Sequence, residues 1–457
     1  MTQRAQQFQQ EPIFEVSERG NRVIVIERES GDWEAGCKAS INGIKARLQQ
    51  GLASKQRVVS NHAPEIALEC TLYLSNKCNL RCRYCYSRDV RNVKENGETM
   101  SLDMLKKVVP AVLSMNWKAV NFFLYGGEPL LDPNLVTDAI SLIHHENTHY
   151  RKRVSFSIET NGTLFTPENI AIIVAADVHV GVSMDGPPAI QNRNRPTKEG
   201  RSSYDMVVHG LNLLQQMRIP FSITATIVQP CDLESVFDYL LRFQWTPFIR
   251  LSPMLPEGNA LQITSNQSCN TSQEALASAH LRVVDRMLAN NRYSHFKVHC
   301  GNIASMVNNL VTDMRPDFCL KSPCGAGYGM IEFHPNGDIV TCDKTYYRSE
   351  LGVLGKINDI EHPRDLQSLY DTSPLRRMIA SRTVDTITLC KDCAFKRFCG
   401  GGCSLGSYLK FGTFAREDVL CEYRKRMFEG LLWRLQDNPY NALLLMKPWL
   451  FSQGVSL

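Results

Sequence analysis

The sequence predicts an α/β chain: a partial (β/α)6 barrel, with a small β-rich extension before it and a cysteine-rich region after it. Three observations carry this. From Leu68 onward, short stretches rich in β-branched and aromatic residues alternate with helix-like stretches. The polar motifs fall just after the first four strand-like stretches, where barrels of the TIM type place their active sites. Beyond Leu310 the texture changes, and cysteines, glycines and short strands replace the alternation.

Met1 to Gln10 is polar and glutamine-rich, without the apolar core of a signal peptide. Ile13–Val16 and Arg22–Glu27 read as a hairpin and Ala39–Gln49 as a short helix. The extension, residues 1–67, reads either as a module that docks a peptide along an exposed strand edge or as an ornament over the open end of the barrel. In the barrel, residues 68–310, the strands are Leu68–Ser75, Ala119–Tyr125, Val154–Glu159, His179–Met184, Ser222–Val228 and Phe248–Pro253. The helices are Leu102–Met115, Pro133–His144, Pro167–Ala175, Tyr204–Met217, Leu233–Phe243 and a further one near Gln273–Leu288. Ser101, Asp132 and Thr166 suit N-caps, and Pro133 and Pro167 suit first helical positions. Six such units imply a parallel sheet with helices outside, curled by right-handed crossovers. Eight would close a barrel, so six leave a gap wide enough for a bulky substrate. In residues 311–430, Glu332 to Val340 reads as two strands around an Asn-Gly turn. Glu422–Leu435 is a helix, and 431–457 a helical tail.

At 457 residues the chain has room for two or three domains. A hydrophobic share of 43% and a charged share of 21% suit a globular protein. A net charge of +5 is too mild to argue for nucleic acid, and Arg81, Arg83, Arg88 and Arg91 read as a solvated face. No apolar run is long enough to span a membrane; Tyr440 to Phe451 is short and contains Lys447 and Pro448. The expected compartment is the cytosol (cytoplasmic), where closely spaced cysteines hold metal rather than disulfides.

Eleven of the sixteen cysteines fall into two ordered sets. Cys78, Cys82 and Cys85 share one short loop, and three thiolates there suit a four-iron cluster with one iron left open for chemistry. Cys319, Cys324, Cys342, Cys390, Cys393, Cys399, Cys403 and Cys421 suffice for two further clusters with every iron bound. The rival for the first set is a partial zinc knuckle, which lacks a nearby fourth ligand. The rival for the second is a pair of structural zinc sites. Cys37, Cys70, Cys231, Cys269 and Cys300 show no partner spacing and read as buried free thiols.

Cys78-x3-Cys82-x2-Cys85, followed by Tyr86 and, after the second strand, by Gly126-Gly127-Glu128-Pro129, resembles the signature of the radical SAM superfamily. The resemblance implies that S-adenosyl-L-methionine binds the open iron through its amino and carboxylate groups. Its reductive cleavage then releases a 5′-deoxyadenosyl radical that abstracts hydrogen from the substrate. It also implies cofactor contacts. Gly126 and Gly127 let backbone approach the methionine moiety, and Glu128 accepts a hydrogen bond from its ammonium. Asn161 and Ser183 lie near the ribose or carboxylate, and Arg195 pairs with that carboxylate.

Cys324-x17-Cys342 followed by Cys390-x2-Cys393-x5-Cys399-x3-Cys403-x17-Cys421 resembles the SPASM extension of peptide-modifying members. That resemblance implies three [4Fe–4S] clusters in all. Cys319, Cys324, Cys342 and Cys403 would hold the first auxiliary cluster, and Cys390, Cys393, Cys399 and Cys421 the second. Asp343, next to Cys342, stands where the sulfatase-maturing branch takes a proton from its substrate; the alternative is a turn cap or a pair with Lys344. The implied function is a maturase that installs a crosslink or other oxidative modification in a ribosomally made peptide (RiPP). Its partners are a peptide or small protein substrate and an external electron donor such as flavodoxin or ferredoxin. Formylglycine formation in sulfatases and maturation of an amine dehydrogenase are alternatives. The extension before Leu68 departs from sulfatase-maturing relatives, which start close to their cysteine loop. A non-catalytic iron–sulfur electron carrier is the rival of another class; it has no need of an open iron.

Overall fold

A computed structural model describes residues 13–54, 67–86, 97–243, 248–256, 258–263, 269–346 and 351–447. Met1–Gln10, Arg88, Arg91 and the end of the expected tail lie outside these residues. The extension is a meander of three strands, β1 (Phe14–Arg19), β2 (Arg22–Glu27) and β3 (Trp33–Cys37), paired antiparallel in that order. The expected hairpin therefore gains a strand. The helix begins at Ile41 and runs to Ser54, after a tight turn at Lys38–Ser40. Alternation in β2 explains how the meander is held on both faces. Val23 and Val25 pack with Ile44 and Leu48 in a small core, while Ile24 and Ile26 join the main core. The indole of Trp33 donates to Leu310 O at 3.0 Å, and Arg19 lies 4.8 Å over the Trp433 ring. The extension thus packs on the C-terminal helix Cys421–Asp437. None of its described residues lines the central cavity.

Six strands follow in the expected order: β4 (Leu68–Ser75), β5 (Ala119–Gly126), β6 (Arg153–Thr160), β7 (Val178–Ser183), β8 (Phe221–Ile227) and β9 (Phe248–Pro253). Each is parallel to the next. The helices between them are Leu102–Ser114, Pro133–Tyr150, Pro167–Ala175, Tyr204–Gln216 and Leu233–Leu240, and Gln273–Tyr293 follows β9. Ser101, Asp132 and Thr166 accept from the amides of Met104, Leu135 and Asn169, so all three cap as expected. Pro133–Tyr150 runs six residues beyond its expected end at His144. Its last turns are polar and solvated, so apolar periodicity does not reveal them.

The sheet does not stop at six strands. β10 (His299–Cys300) pairs with β9, and β11 (Met330–Phe333) runs parallel to the outer edge of β4. β12 (Asp338–Val340) and β13 (Gly355–Lys356) continue it antiparallel. Ten strands result, and the cysteine-rich region shares the barrel's own sheet. Gly337, at φ +89°, makes the expected turn between β11 and β12. One helix, Cys421–Asp437, runs across the expected boundary at residue 430. No helix among the described residues is long and apolar enough to cross a membrane.

Two readings of the remaining cysteines are corrected. Cys231 and Cys269 are bonded to each other, with Cα atoms 6.0 Å apart, across 38 residues of sequence. They tie the turn after β8 to the segment before the helix Gln273–Tyr293. A pairing this distant leaves no local spacing signal. Cys37 is exposed, at the end of the strand missing from the sequence reading, whereas Cys70 and Cys300 are buried free thiols as expected.

Candidate active site and auxiliary cysteine groups

The carboxyl ends of the barrel strands surround a cavity of about 840 Å³. Its wall includes Cys78, Cys82 and Cys85 after β4, Gly126 and Gly127 at the end of β5, and Asn161 after β6. Ser183 ends β7, and Arg195 also reaches the wall. The loops expected to converge do so.

The three cysteines are half-buried. Burial pushes the Cys82 thiol up to about 12; Arg195 opposes this, and the neighbouring Cys85 and Cys78 add to it. A buried thiol that resists ionising beside two others fits a cationic group placed among them. Among the described residues no three His, Cys, Asp or Glu side chains stand close enough to hold one metal ion. A zinc knuckle requires that closeness, with Zn–S bonds of about 2.3 Å. A multi-iron cluster holds its thiolates farther apart than a single ion does, and Cys78, Cys82 and Cys85 are the residues that would hold one here.

The Gly-Gly-Glu motif also builds the rim itself. A Cβ on Gly126 would stand 2.4 Å from Ser75 O, and one on Gly127 2.1 Å from Lys77 O. Gly127 N donates to Ser75 O at 2.7 Å and Glu128 N to Lys77 O at 2.9 Å. The missing side chains let β5 continue its ladder onto the chain entering the cysteine loop. Glu128 is buried and is not part of the cavity wall. Its carboxylate accepts from the Thr160 hydroxyl at 2.7 Å, the Asn161 amide at 2.7 Å and the Leu130 amide at 3.0 Å. Three protein donors occupy the group expected to meet the cofactor's ammonium, and it clasps the second rim loop to the third. Burial pushes its pKa up, against the pull of those donors. Glu128→Ala strands the Asn161 and Thr160 donors and is expected to cost about 3 kcal/mol. Urea unfolding of the variant measures that loss.

Asn161 stands against the cysteine loop. Its amide nitrogen donates to Asn79 Oδ1 at 2.8 Å and lies 3.9 Å from Cys78 Sγ. Ser183 donates to Glu159 at 2.8 Å. Glu159 lines the cavity, and burial raises its pKa. It was missed, although a charged residue closing a strand of alternating apolar and serine positions was its signal. Arg195 already has partners: it donates to the Tyr84 hydroxyl at 2.7 Å and lies 4.0 Å from Asp185. Tyr84 donates to Asp185 at 2.9 Å. Arg195 remains on the wall, backed by this pair. Arg81 and Arg83 are exposed, as a solvated face requires.

Asp343 faces the same cavity. Cys342 Sγ donates to it at 3.1 Å, and Lys344 Nζ lies 3.8 Å away. Lys344 also sits 3.9 Å over the ring of Tyr86, whose hydroxyl meets that of Tyr125 at 2.8 Å. Residues beside Cys85 and beside Cys342 therefore meet across one cavity. Burial works to raise the Asp343 pKa, but the Lys344 charge and hydrogen bonds from Cys342 and Tyr86 hold it below the usual carboxylate range. Glu332, a second wall residue missed in the sequence, is pushed well up by burial and by Asp343. The two carboxyls are thus pushed apart, Glu332 up and Asp343 down.

Cys390, Cys393, Cys399 and Cys421 line a separate small cavity with Lys396, Asp418 and Lys425. Cys324 and Cys342 pack against one apolar patch around Ala326 and Ile379. Cys319 lies in the main cavity wall, within electrostatic reach of Cys324 and Cys403. Between Cys399 and Cys403, Gly400, Gly401 and Gly402 take φ of +66°, +82° and +68°. Three successive left-handed residues turn the chain sharply, so neighbouring cysteines point to different groups.

Residues 72–239 match the profile of the Radical SAM superfamily. The cysteine-type anaerobic sulfatase-maturating enzyme of Clostridium perfringens (strain 13 / Type A) is 24% identical over 369 residues, 79% of this chain and 95% of that protein. Among solved structures, native anSMEcpe with bound AdoMet and Cp18Cys peptide superposes with a TM-score of 0.68 at 19% identity, covering 82% of this chain and 99% of the other. Streptococcus suis SuiB bound to precursor peptide SuiA gives 0.56 at 15% identity, covering 90% and 100%. At such identities the structures establish the fold alone. Residues 72–239, which contain the cysteine loop, are thus a radical SAM domain, a family that implies S-adenosylmethionine and a four-iron cluster.

Proposed function

We propose that this chain is a radical SAM/SPASM maturase that oxidatively modifies a peptide or small protein. The single observation that carries the reading is the shared cavity: Cys78, Cys82 and Cys85 form one wall, and Asp343, beside Cys342, forms another. Bound cluster and S-adenosylmethionine would supply a carbon radical able to remove a hydrogen atom. Cys78, Cys82 and Cys85 hold that cluster. Asn161, Ser183 and Arg195 line the space beside it, and Gly126 and Gly127 keep the loop in place. Asp343, ionised and held by Lys344 and Tyr86, takes the proton that the substrate then sheds. Cys319, Cys324, Cys342 and Cys403 hold one auxiliary cluster and Cys390, Cys393, Cys399 and Cys421 the other, to receive the substrate's electron. Flavodoxin or ferredoxin supplies the first electron in the cytosol.

The β1–β3 meander favours a ribosomally made peptide as substrate, since a strand edge can hold a leader segment. The likeness to the Clostridium perfringens enzyme over 95% of its length favours a second reading, formylglycine formation. One experiment separates them. The anaerobically reconstituted protein is incubated with S-adenosylmethionine, reductant and candidate peptides. Both readings expect 5′-deoxyadenosine. Loss of two hydrogens without an aldehyde marks a crosslink, and an aldehyde that hydroxylamine captures marks formylglycine. No 5′-deoxyadenosine with any peptide would leave the chain an electron carrier.

A further inference from the structure

Arg382 is 4% exposed and lies within electrostatic reach of cysteines from both auxiliary groups. Its guanidinium donates to four main-chain carbonyls: Phe414 at 2.9 Å, Gly402 at 3.2 Å, Gly401 at 3.0 Å and Arg416 at 3.1 Å. All four are neutral, and among the described residues it makes no ion pair. The carboxylate within its reach, Asp418, is joined to Arg424 at 2.6 Å. A buried cation without a counter-charge is strongly unfavourable. Apart from that carboxylate, shared with Arg424, the charges within its reach are thiolates. These are Cys403 and Cys324 of one group and Cys390 of the other. Four thiolates around a four-iron cluster leave that group net negative, so two such groups would supply the missing charge.

We propose that Arg382 is a shared positioning residue for both auxiliary clusters, a fixed cation that favours their assembly and raises their tendency to accept an electron. This rests on the assignment of two auxiliary clusters. A fixed positive charge stabilises whichever state is more negative, and each cluster becomes more negative by one on reduction. One electron enters, no bond breaks and no proton moves. In the proposed reaction that electron is the one the substrate gives up. Arg382 also grips the carbonyls of Gly401 and Gly402, inside the turn that sends Cys399 and Cys403 to different groups. Charge and grip must therefore be tested apart.

The full chain carrying Cys78→Ala, Cys82→Ala and Cys85→Ala, reconstituted anaerobically, isolates the auxiliary groups. If it retains no iron–sulfur signal, the assignment of auxiliary clusters fails, and Arg382 falls with it. If it retains them, Arg382→Gln and Arg382→Lys are compared in that background by iron content and by redox titration followed by electron paramagnetic resonance. The expected result is that Gln weakens electron acceptance at both clusters by about tenfold, about 59 mV for one electron, while Lys shifts neither by that much. Loss of clusters from the Gln variant but not the Lys variant also supports the proposal. Unchanged potentials in Gln, a shift at one cluster alone, or equal shifts or losses in both variants overturn it.

Discussion

Cys82→Ala is expected to reduce 5′-deoxyadenosine formation to the level of an enzyme-free control and to remove about four irons per chain. Two thiolates cannot hold three irons of a cubane and leave one free, so the site loses its open position. The loop itself should survive. Its backbone is anchored from outside, with Arg81 N donating to Pro196 O at 2.8 Å and Arg83 N to Asn194 O at 2.9 Å. The ladder from Gly127 and Glu128 holds its entry. Removing the thiol also removes the partner that Arg195 faces, but Tyr84 still accepts from that cation and Asp185 still opposes its charge. The loss should therefore appear in iron content and turnover while urea unfolding of the apo protein stays near wild type. Turnover at the wild-type rate in the alanine variant would end the assignment of this loop.

Asp343→Asn separates radical formation from proton removal. The variant is expected to cleave S-adenosylmethionine at close to the wild-type rate while modified peptide falls by about 10²–10⁴-fold, the usual contribution of a positioned base. Asparagine keeps the shape and can still meet Tyr86, but it takes no proton. The charge around the site supports the assignment. Lys344 and the Tyr86 hydroxyl stabilise the ionised carboxylate, and Glu332, pushed up by burial and by Asp343, resists adding a second negative charge beside it. If Cys342 is a cluster ligand it carries no thiol proton. The 3.1 Å contact then sets thiolate beside carboxylate, which makes Asp343 the stronger base. Chromatography for 5′-deoxyadenosine and mass spectrometry of the peptide read the two steps independently. Product at the wild-type rate would move the role elsewhere, with Glu332 the next residue to test.

The parts of this protein that depend on short stretches of chain were legible. Alternation of β-branched and helix-forming stretches placed the six barrel strands within about two residues, and three side-chain caps fell where Ser101, Asp132 and Thr166 stand. The loops carrying Cys78, Gly126 and Asn161 could be assigned to one rim because strand direction fixes it. What each rim residue does was less legible. Glu128 and Ser183 have the chemistry of ligand contacts, yet Glu128 turns to three protein donors and Ser183 to Glu159. A sequence shows that a carboxylate is present at a rim but not which donor reaches it first.

By itself the sequence determined the cysteine ladder, the strand–helix repeat and the rim on which the motifs gather, because each is set by spacing along the backbone. Only the tertiary structure decided that β11 closes onto β4, that Cys231 meets Cys269, that Tyr86 bridges toward Asp343 and that Arg382 comes within reach of two thiol groups. Those meetings join residues tens to hundreds of positions apart. They are selected by burial and by the satisfaction of buried polar groups, which act through space and leave no periodic trace along the chain.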